Sequence, residues 1–287
     1  MRDAVRDATP MEITLATGIA IAAVSFAAEY VDSSLGMGYG TTLTPVLLLI
    51  GFAPLEVVPA LLVSQLLAGL FSGFVHHSLG NVNLKPVTLS PKSIWRNLRR
   101  FGARESFRRG LPRGLQVALV ITLASVVGTV AAVFLAVNLP EKVLRLYVAS
   151  LVLVIGIVIL VTIRVRLAFS WRRIVGLGML AAFNKGLSGG GYGPLVTGGQ
   201  VLSGVPVRET VGITSVAEAL TCLVGIVAYA FQPEAVWRLA PYLAAGALLS
   251  VPLTGWTVRA LRPQWLRVGI GVITIVLGTV TIVETLV

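Results

Sequence analysis

The stretch that decides the fold reads Gly186-Leu187-Ser188-Gly189-Gly190-Gly191-Tyr192-Gly193-Pro194. A related stretch, Asp32-Ser33-Ser34-Leu35-Gly36-Met37-Gly38-Tyr39-Gly40, stands in the first half of the chain. Each interrupts a strongly apolar run, where glycine costs a packed helix backbone entropy. Backbone that leaves a helix inside a hydrocarbon layer must be buried in protein or line a cavity, because lipid offers no hydrogen bonds. These two breaks are therefore where function is expected.

The surrounding composition supplies the apolar layer. Of 287 residues, 56% are hydrophobic and 12% charged, about half the charged share of a soluble domain. Several uninterrupted runs reach the ~17–25 residues of a spanning helix, and their continuity argues against the period-two alternation of an outer-membrane barrel. The fold expected is an all-α polytopic membrane protein. The net charge of +11 would suggest nucleic acid in a soluble chain, but nine of the 23 Lys and Arg fall in Leu79–Arg113. That clustering follows the positive-inside rule and makes 79–113 a basic cytoplasmic loop, with no nucleic-acid partner. Its part from Ile94 to Phe107 reads as an amphipathic interfacial helix able to contact lipid head groups. Cys222 lies alone in an apolar run and reads as packing. The N-terminus lacks the short apolar core and cleavage site of a signal peptide, so the first span is expected to remain in the mature protein.

Apolar segments run over about 13–31, 41–52, 54–75, 115–137, 143–163, 195–203, 205–231, 237–258 and 268–286, with a short helix before the second break. A shift of 153 residues lays the halves over each other without a gap. Gly36, Gly38, Tyr39 and Gly40 fall on Gly189, Gly191, Tyr192 and Gly193, Thr44 on Thr197, Gly51 on Gly204, and Glu56 on Glu209. Between 28 and 70, 13 of 43 positions are identical, far more than apolar composition alone gives. The chain is thus expected to form one transmembrane domain, 1–287, with repeat 1 at about 13–75 and repeat 2 at about 171–231. Because the loop after repeat 1 and the turn before repeat 2 are both basic, three crossings per repeat make the two inverted, with interrupted helices and eight to ten membrane segments in all. Treating 41–52 and 195–203 as re-entrant gives eight spans and parallel repeats, but puts the arginines of 259–267 outside.

Interrupted helices present free N–H groups and positive dipole ends near mid-membrane, which suits an anion. The expected binding residues are Ser33, Gly36, Gly38, Tyr39, Gly40, Thr42, Gln65, Lys185, Ser188, Gly189, Gly190, Gly191, Tyr192, Gly193 and Thr197. Gln65 and Glu218 are repeat-equivalent, as are Asp32 and Lys185. Ionisable groups at membrane depth mark pathways and proton relays, so Asp32 and Glu218 are expected to couple ions while Lys185 balances the substrate's charge. A salt bridge from Lys185 to Glu29, Asp32 or Glu218 is the competing structural role. Glu56 and Glu209 sit at helix starts and read as caps. Gly186-Leu187-Ser188-Gly189 also matches the GxSG of intramembrane serine proteases, but His76 and His77, the only histidines, end a span and read as interfacial anchors, with no companion cluster for a metal. Gly191-Tyr192-Gly193 and Gly38-Tyr39-Gly40 match the GYG of potassium filters, and two copies per chain would let a homodimer form a four-fold filter. The preceding Thr-Val is absent and Lys185 suits a cation poorly, so a channel is the alternative.

The two glycine stretches in inverted halves, Gly189-Gly190-Gly191-Tyr192-Gly193-Pro194 especially, together with the half-helix and turn that follow, resemble the sulfite exporter TauE/SafE family. The resemblance covers essentially the whole membrane part, with 79–113 as an insertion. The first copy departs from it, having Gly36-Met37-Gly38 for the glycine triplet. The resemblance implies secondary transport, often outward, of sulfur-containing anions such as sulfite or small organosulfonates. It implies no cofactor and no enzymatic activity. With the charge map, it implies an integral protein of a prokaryotic inner (plasma) membrane whose partners are a small anionic substrate and lipid.

Overall fold

The computed structural model describes residues 13–36, 38–86, 91–161, 170–202, 205–260 and 263–286. The helices are α1 (Leu15–Leu35), α2 (Tyr39–Ile50), α3 (Pro54–Ser78), α4 (Pro91–Gly110), α5 (Arg113–Asn138), α6 (Glu141–Val161), α7 (Trp171–Ser188), α8 (Tyr192–Leu202), α9 (Val207–Ala230), α10 (Ala240–Ala260) and α11 (Pro263–Leu286). The described residues contain no strand. Four helices among them, α1, α3, α5 and α9, are long and apolar enough to cross a membrane. Their outward faces carry bare apolar side chains such as Ile19, Phe74, Leu123 and Val227, as a lipid-facing surface requires.

Local signals set the helix ends. Thr14 caps α1 by accepting from Thr17 N–H at 3.2 Å, and Gly36 ends it in the left-handed region at φ 71°. Pro54 opens α3 with Glu56 in its first turn, a placement that suits the missing N–H of proline and the positive end of the helix dipole. The Glu56 carboxylate also takes an ion pair from Arg238 Nε at 2.6 Å, so its role goes beyond capping. The helix bounds respect the 153-residue shift closely: Leu35, Tyr39 and Pro54 map onto Ser188, Tyr192 and Val207, the same end and starts in α7, α8 and α9. Gly189 ends α7 at φ 73°, as Gly36 ends α1. Met37, Ser203, Gly204, Arg164, Arg166 and Arg262 lie outside the described residues.

The packing between halves is reciprocal. The first three helices are covered by α10, which lies against α1 and α3, while α5 lies against α7 and α9. α6 and α11 pair with each other, and α3 packs on α9. Small residues permit these close approaches. A Cβ on Gly246 of α10 would come 2.9 Å from the carbonyl carbon of Ala22, one on Gly128 of α5 would come 3.1 Å from Phe183 N, and one on Gly278 of α11 would come 2.8 Å from Leu153 N. Helix-to-helix hydrogen bonds add to this, with the Ser25 hydroxyl donating to Leu243 O at 2.6 Å.

The basic stretch contains a longer helix than the sequence suggests. α4 spans Pro91–Gly110 and bends at Gly102, where φ is 75° and ψ 170°. Trp95 is exposed, with the Arg99 guanidinium 5.2 Å from its ring centre, and Gln116 on α5 holds the end of α4 through Arg108 O at 3.0 Å.

Candidate functional site

The two glycine breaks meet. A Cβ on Gly40 would fall 2.7 Å from the carbonyl carbon of Gly189 and 2.8 Å from Gly190 Cα, and one on Gly190 would fall 2.8 Å from the carbonyl carbon of Gly40. Only glycine on both sides permits this backbone-to-backbone approach. The Thr197 hydroxyl from α8 donates to Gly36 O at 2.5 Å and pairs with Thr214 Oγ1 at 3.0 Å. Tyr39 and Tyr192 are fully buried beside the breaks. The Tyr39 hydroxyl bonds to Ser25 and Ser64 at 2.9 and 2.6 Å, and that of Tyr192 to Thr221 at 3.2 Å. Each tyrosine thus pins the first turn of its half-helix to the long helices around it.

A buried ionic cluster adjoins the breaks. Lys185 Nζ donates to Glu218 Oε1 at 2.7 Å, both side chains being shielded from solvent, and also to Gln65 Oε1. The amide of Gln65 then turns its Nε2 to Glu29 and Asp32, 3.4 Å from each. The Ser33 hydroxyl donates to Glu29 Oε1 at 2.5 Å, and Asp32 Oδ1 accepts the Tyr39 backbone N–H at 3.1 Å, on the N-terminus of α2. Asp32, Ser33, Gln65, Lys185 and Glu218, drawn from α1, α3, α7 and α9, therefore form one network. The ion pair joins Lys185 to Glu218, one of the three acids open to it in the sequence. Glu29, read in the sequence as an ionisable group at membrane depth and a possible partner for Lys185, is a full member of the cluster. Nothing in its spacing marked it out, because its partner Gln65 is 36 residues away.

Other residues stand apart. Thr42 is half-buried, and its backbone N–H donates to Gly38 O at 2.9 Å. The Ser188 hydroxyl turns back to Asn184 O at 2.7 Å and accepts from Gly190 N–H at 3.1 Å. His76 is no interfacial anchor: it is buried, with Nε2 on Ser33 O at 2.9 Å and Nδ1 facing Asn81 Nδ2 at 3.0 Å. Both ring nitrogens are thus engaged, and no base is paired with Ser188. The turn that carries Asn81 back to His76 is local: Gly80 sits in the left-handed region at φ 71° and Asn81 N–H donates to His76 O at 2.8 Å, so Gly80 was the signal that could have placed it. No group of three His, Cys, Asp or Glu among the described residues is arranged to hold a metal ion. A surface cavity lies elsewhere, where Lys142 and Arg145 meet Glu284 and Thr285. There Arg145 donates to Leu48 O and Phe52 O at 2.9 and 3.2 Å, covering carbonyls at the end of α2.

Helices long and apolar enough to cross a membrane, packed around two glycine-mediated backbone contacts and a buried ion pair, define a helical membrane protein. The family model described as "Sulfite exporter TauE/SafE" matches residues 21–91 and 100–281. The chain belongs to this family. The match omits only 92–99 between its two parts, within α4. The chain is also 25% identical over 281 residues to "Probable membrane transporter protein YtnM" of Bacillus subtilis (strain 168), an alignment covering 93% of this chain and 83% of that protein. No solved structure matches the chain.

Proposed function

We propose that this TauE/SafE transporter is a secondary exporter of small sulfur-containing anions, sulfite or an organosulfonate, which it binds at the two glycine-rich breaks. The observation that carries the reading is the direct contact of Gly40 with Gly189 and Gly190 beside the Lys185–Glu218 pair. Half-helix N-termini supply N–H donors and dipole for the anion, and Lys185 supplies charge. The touching breaks correspond to a closed state, and their separation opens the site. The matching break positions of α1–α3 and α7–α9 and the reciprocal covers α5 and α10 support an inverted repeat acting as one domain, in which one half rocks against the other. The positive-inside rule supports a cytoplasmic α4 and an inner-membrane location.

Coupling follows from charge. Glu29, Asp32 and Glu218 face a single ammonium, so full ionisation would leave two uncompensated negative charges in a buried site, which is costly. Donors already engage the carboxylate oxygens of Glu29 and Asp32, unlike the open oxygen cage a sodium ion needs. The coupling ion is a proton, carried by Asp32 and Glu218. The test is uptake of radiolabelled sulfite and taurine into proteoliposomes of the purified protein under imposed pH or sodium gradients. Saturable anion flux driven by the pH gradient supports the reading. Flux driven by sodium alone overturns the proton assignment, and a potassium current without anion flux overturns the whole.

A further inference from the structure

The two breaks are equivalent in backbone but not in what fills them. In the first, the Asp32 carboxylate already lies on the N-terminus of α2, accepting Tyr39 N–H at 3.1 Å. The chain thus places an anionic group of its own where a helix N-terminus favours one. In the second, the equivalent residue is Lys185, turned away to Gln65 and Glu218. The N–H groups of Tyr192 and Gly193 at the start of α8 have no acceptor among the described residues. The hydroxyls show the same inequality. Thr197 Oγ1 is satisfied by Gly36 O and Thr214. Its repeat-equivalent, Thr44 Oγ1, is fully buried and has no partner. It lies 3.1 Å from where a Cβ on Gly189 would stand. A buried hydroxyl without a partner is rare and calls for an explanation.

We infer that the anion site is one-sided: the oxyanion head of the substrate binds at the second break, on the N-terminus of α8, with the Thr44 hydroxyl reaching across from α2 as a donor. The Asp32 carboxylate, reaching from α1 to the N-terminus of α2, marks by symmetry where the substrate's charged oxygens sit on α8. Lys185, one turn before Gly189, swings from Glu218 to the anion when protons enter the cluster. This inference rests on the sulfur-oxyanion reading above. It narrows that reading from two half-sites to one and adds Thr44 as a specificity-determining residue.

The test is the KM for radiolabelled sulfite in proteoliposomes of Thr44→Val, Thr44→Ser and Thr197→Val. A lost hydrogen bond to a charged oxygen predicts a KM raised about tenfold or more in Thr44→Val. Vmax should be kept, and Thr44→Ser should stay within about twofold of wild type. The Thr197→Val variant should lower thermal stability and raise KM less than Thr44→Val does, because its hydroxyl is already bonded to Gly36 O. Should Thr44→Val not fold, Thr44→Ala gives the same KM readout. An unchanged KM in a folded Thr44→Val or Thr44→Ala protein, or an equal rise in Thr197→Val, overturns the one-sided site while leaving anion transport standing. Absence of saturable sulfite flux in the wild type overturns both.

Discussion

Gly40→Ala asks directly whether the contact between the breaks holds the structure together. The new methyl carbon would fall 2.7 Å from the carbonyl carbon of Gly189 and 2.8 Å from Gly190 Cα, against about 3.4 Å for ordinary contact. Both neighbours are backbone, so no rotamer change relieves the clash; these two contacts alone part the breaks by about 0.7 Å, and the nearer Gly189 carbonyl oxygen demands more. A gap of that order forfeits roughly a quarter to a half of the dispersion attraction of every atom pair across the contact. Overpacking of a rigid core costs about 1–3 kcal/mol, and backbone on both sides puts this case at the upper end. For a protein of this size that is a fall of roughly 6–12 °C in Tm, read by size-exclusion thermostability in detergent. Two glycines serve as controls. Gly176 has nothing within 4 Å of an added Cβ, and Ala there should gain about 0.5–1 kcal/mol from backbone entropy. Gly18 would meet only the movable ring of Tyr242 and should fall between. The reasoning is refuted if Gly40→Ala melts with Gly176→Ala and transports normally.

Three further outcomes follow from the cluster and its neighbours. Lys185→Met leaves buried Glu218 uncompensated and should cost about 3–5 kcal/mol, whereas Lys185→Met with Glu218→Gln should recover much of that stability without recovering transport. A double mutant no more stable than the single would contradict the pairing. His76→Ala removes both ring hydrogen bonds from a buried site and should cost about 2–4 kcal/mol by thermal or denaturant titration, well above His77→Ala, which removes a half-buried ring; equal losses would deny the tie between His76 and Ser33. Ser188→Ala should keep sulfite flux within about threefold, because its hydroxyl serves Asn184 O and Gly190 N–H. Abolished flux with stability unchanged would give Ser188 a role in the transport step itself.

Part of the glycine pattern was legible because glycine is favoured in the left-handed region, and Gly36/Gly189 and Gly38/Gly191 share that conformation 153 residues apart. Helix starts were less legible: the two short helices open at Tyr39 and Tyr192, ahead of the apolar segments 41–52 and 195–203. What the chain pattern hid was choice among partners. Lys185 had three acids within plausible reach, and only the point where the end of α7 meets the packed pair α3 and α9 selects Glu218 and Gln65. Asp32 looked equivalent to Lys185 in position, yet its shorter side chain turns to its own break and takes Tyr39 N–H. His76 and His77 are neighbours in sequence, but α-helical geometry points one inward and the other to a half-buried edge. The cover helices were hidden too. α5 and α10 share no motif, and each lies against a repeat distant in sequence or in the opposite half of the chain.

The most direct measurement is a structure of the purified protein determined with selenite, a heavier analogue of sulfite, with the anion located by anomalous difference density. The account predicts one peak within hydrogen-bond reach of Tyr192 N–H, Gly193 N–H and Thr44 Oγ1, with the Gly40–Gly190 contact loosened. Density confined to the surface cavity at Lys142 and Arg145, with the breaks still in contact at saturating anion, would contradict it.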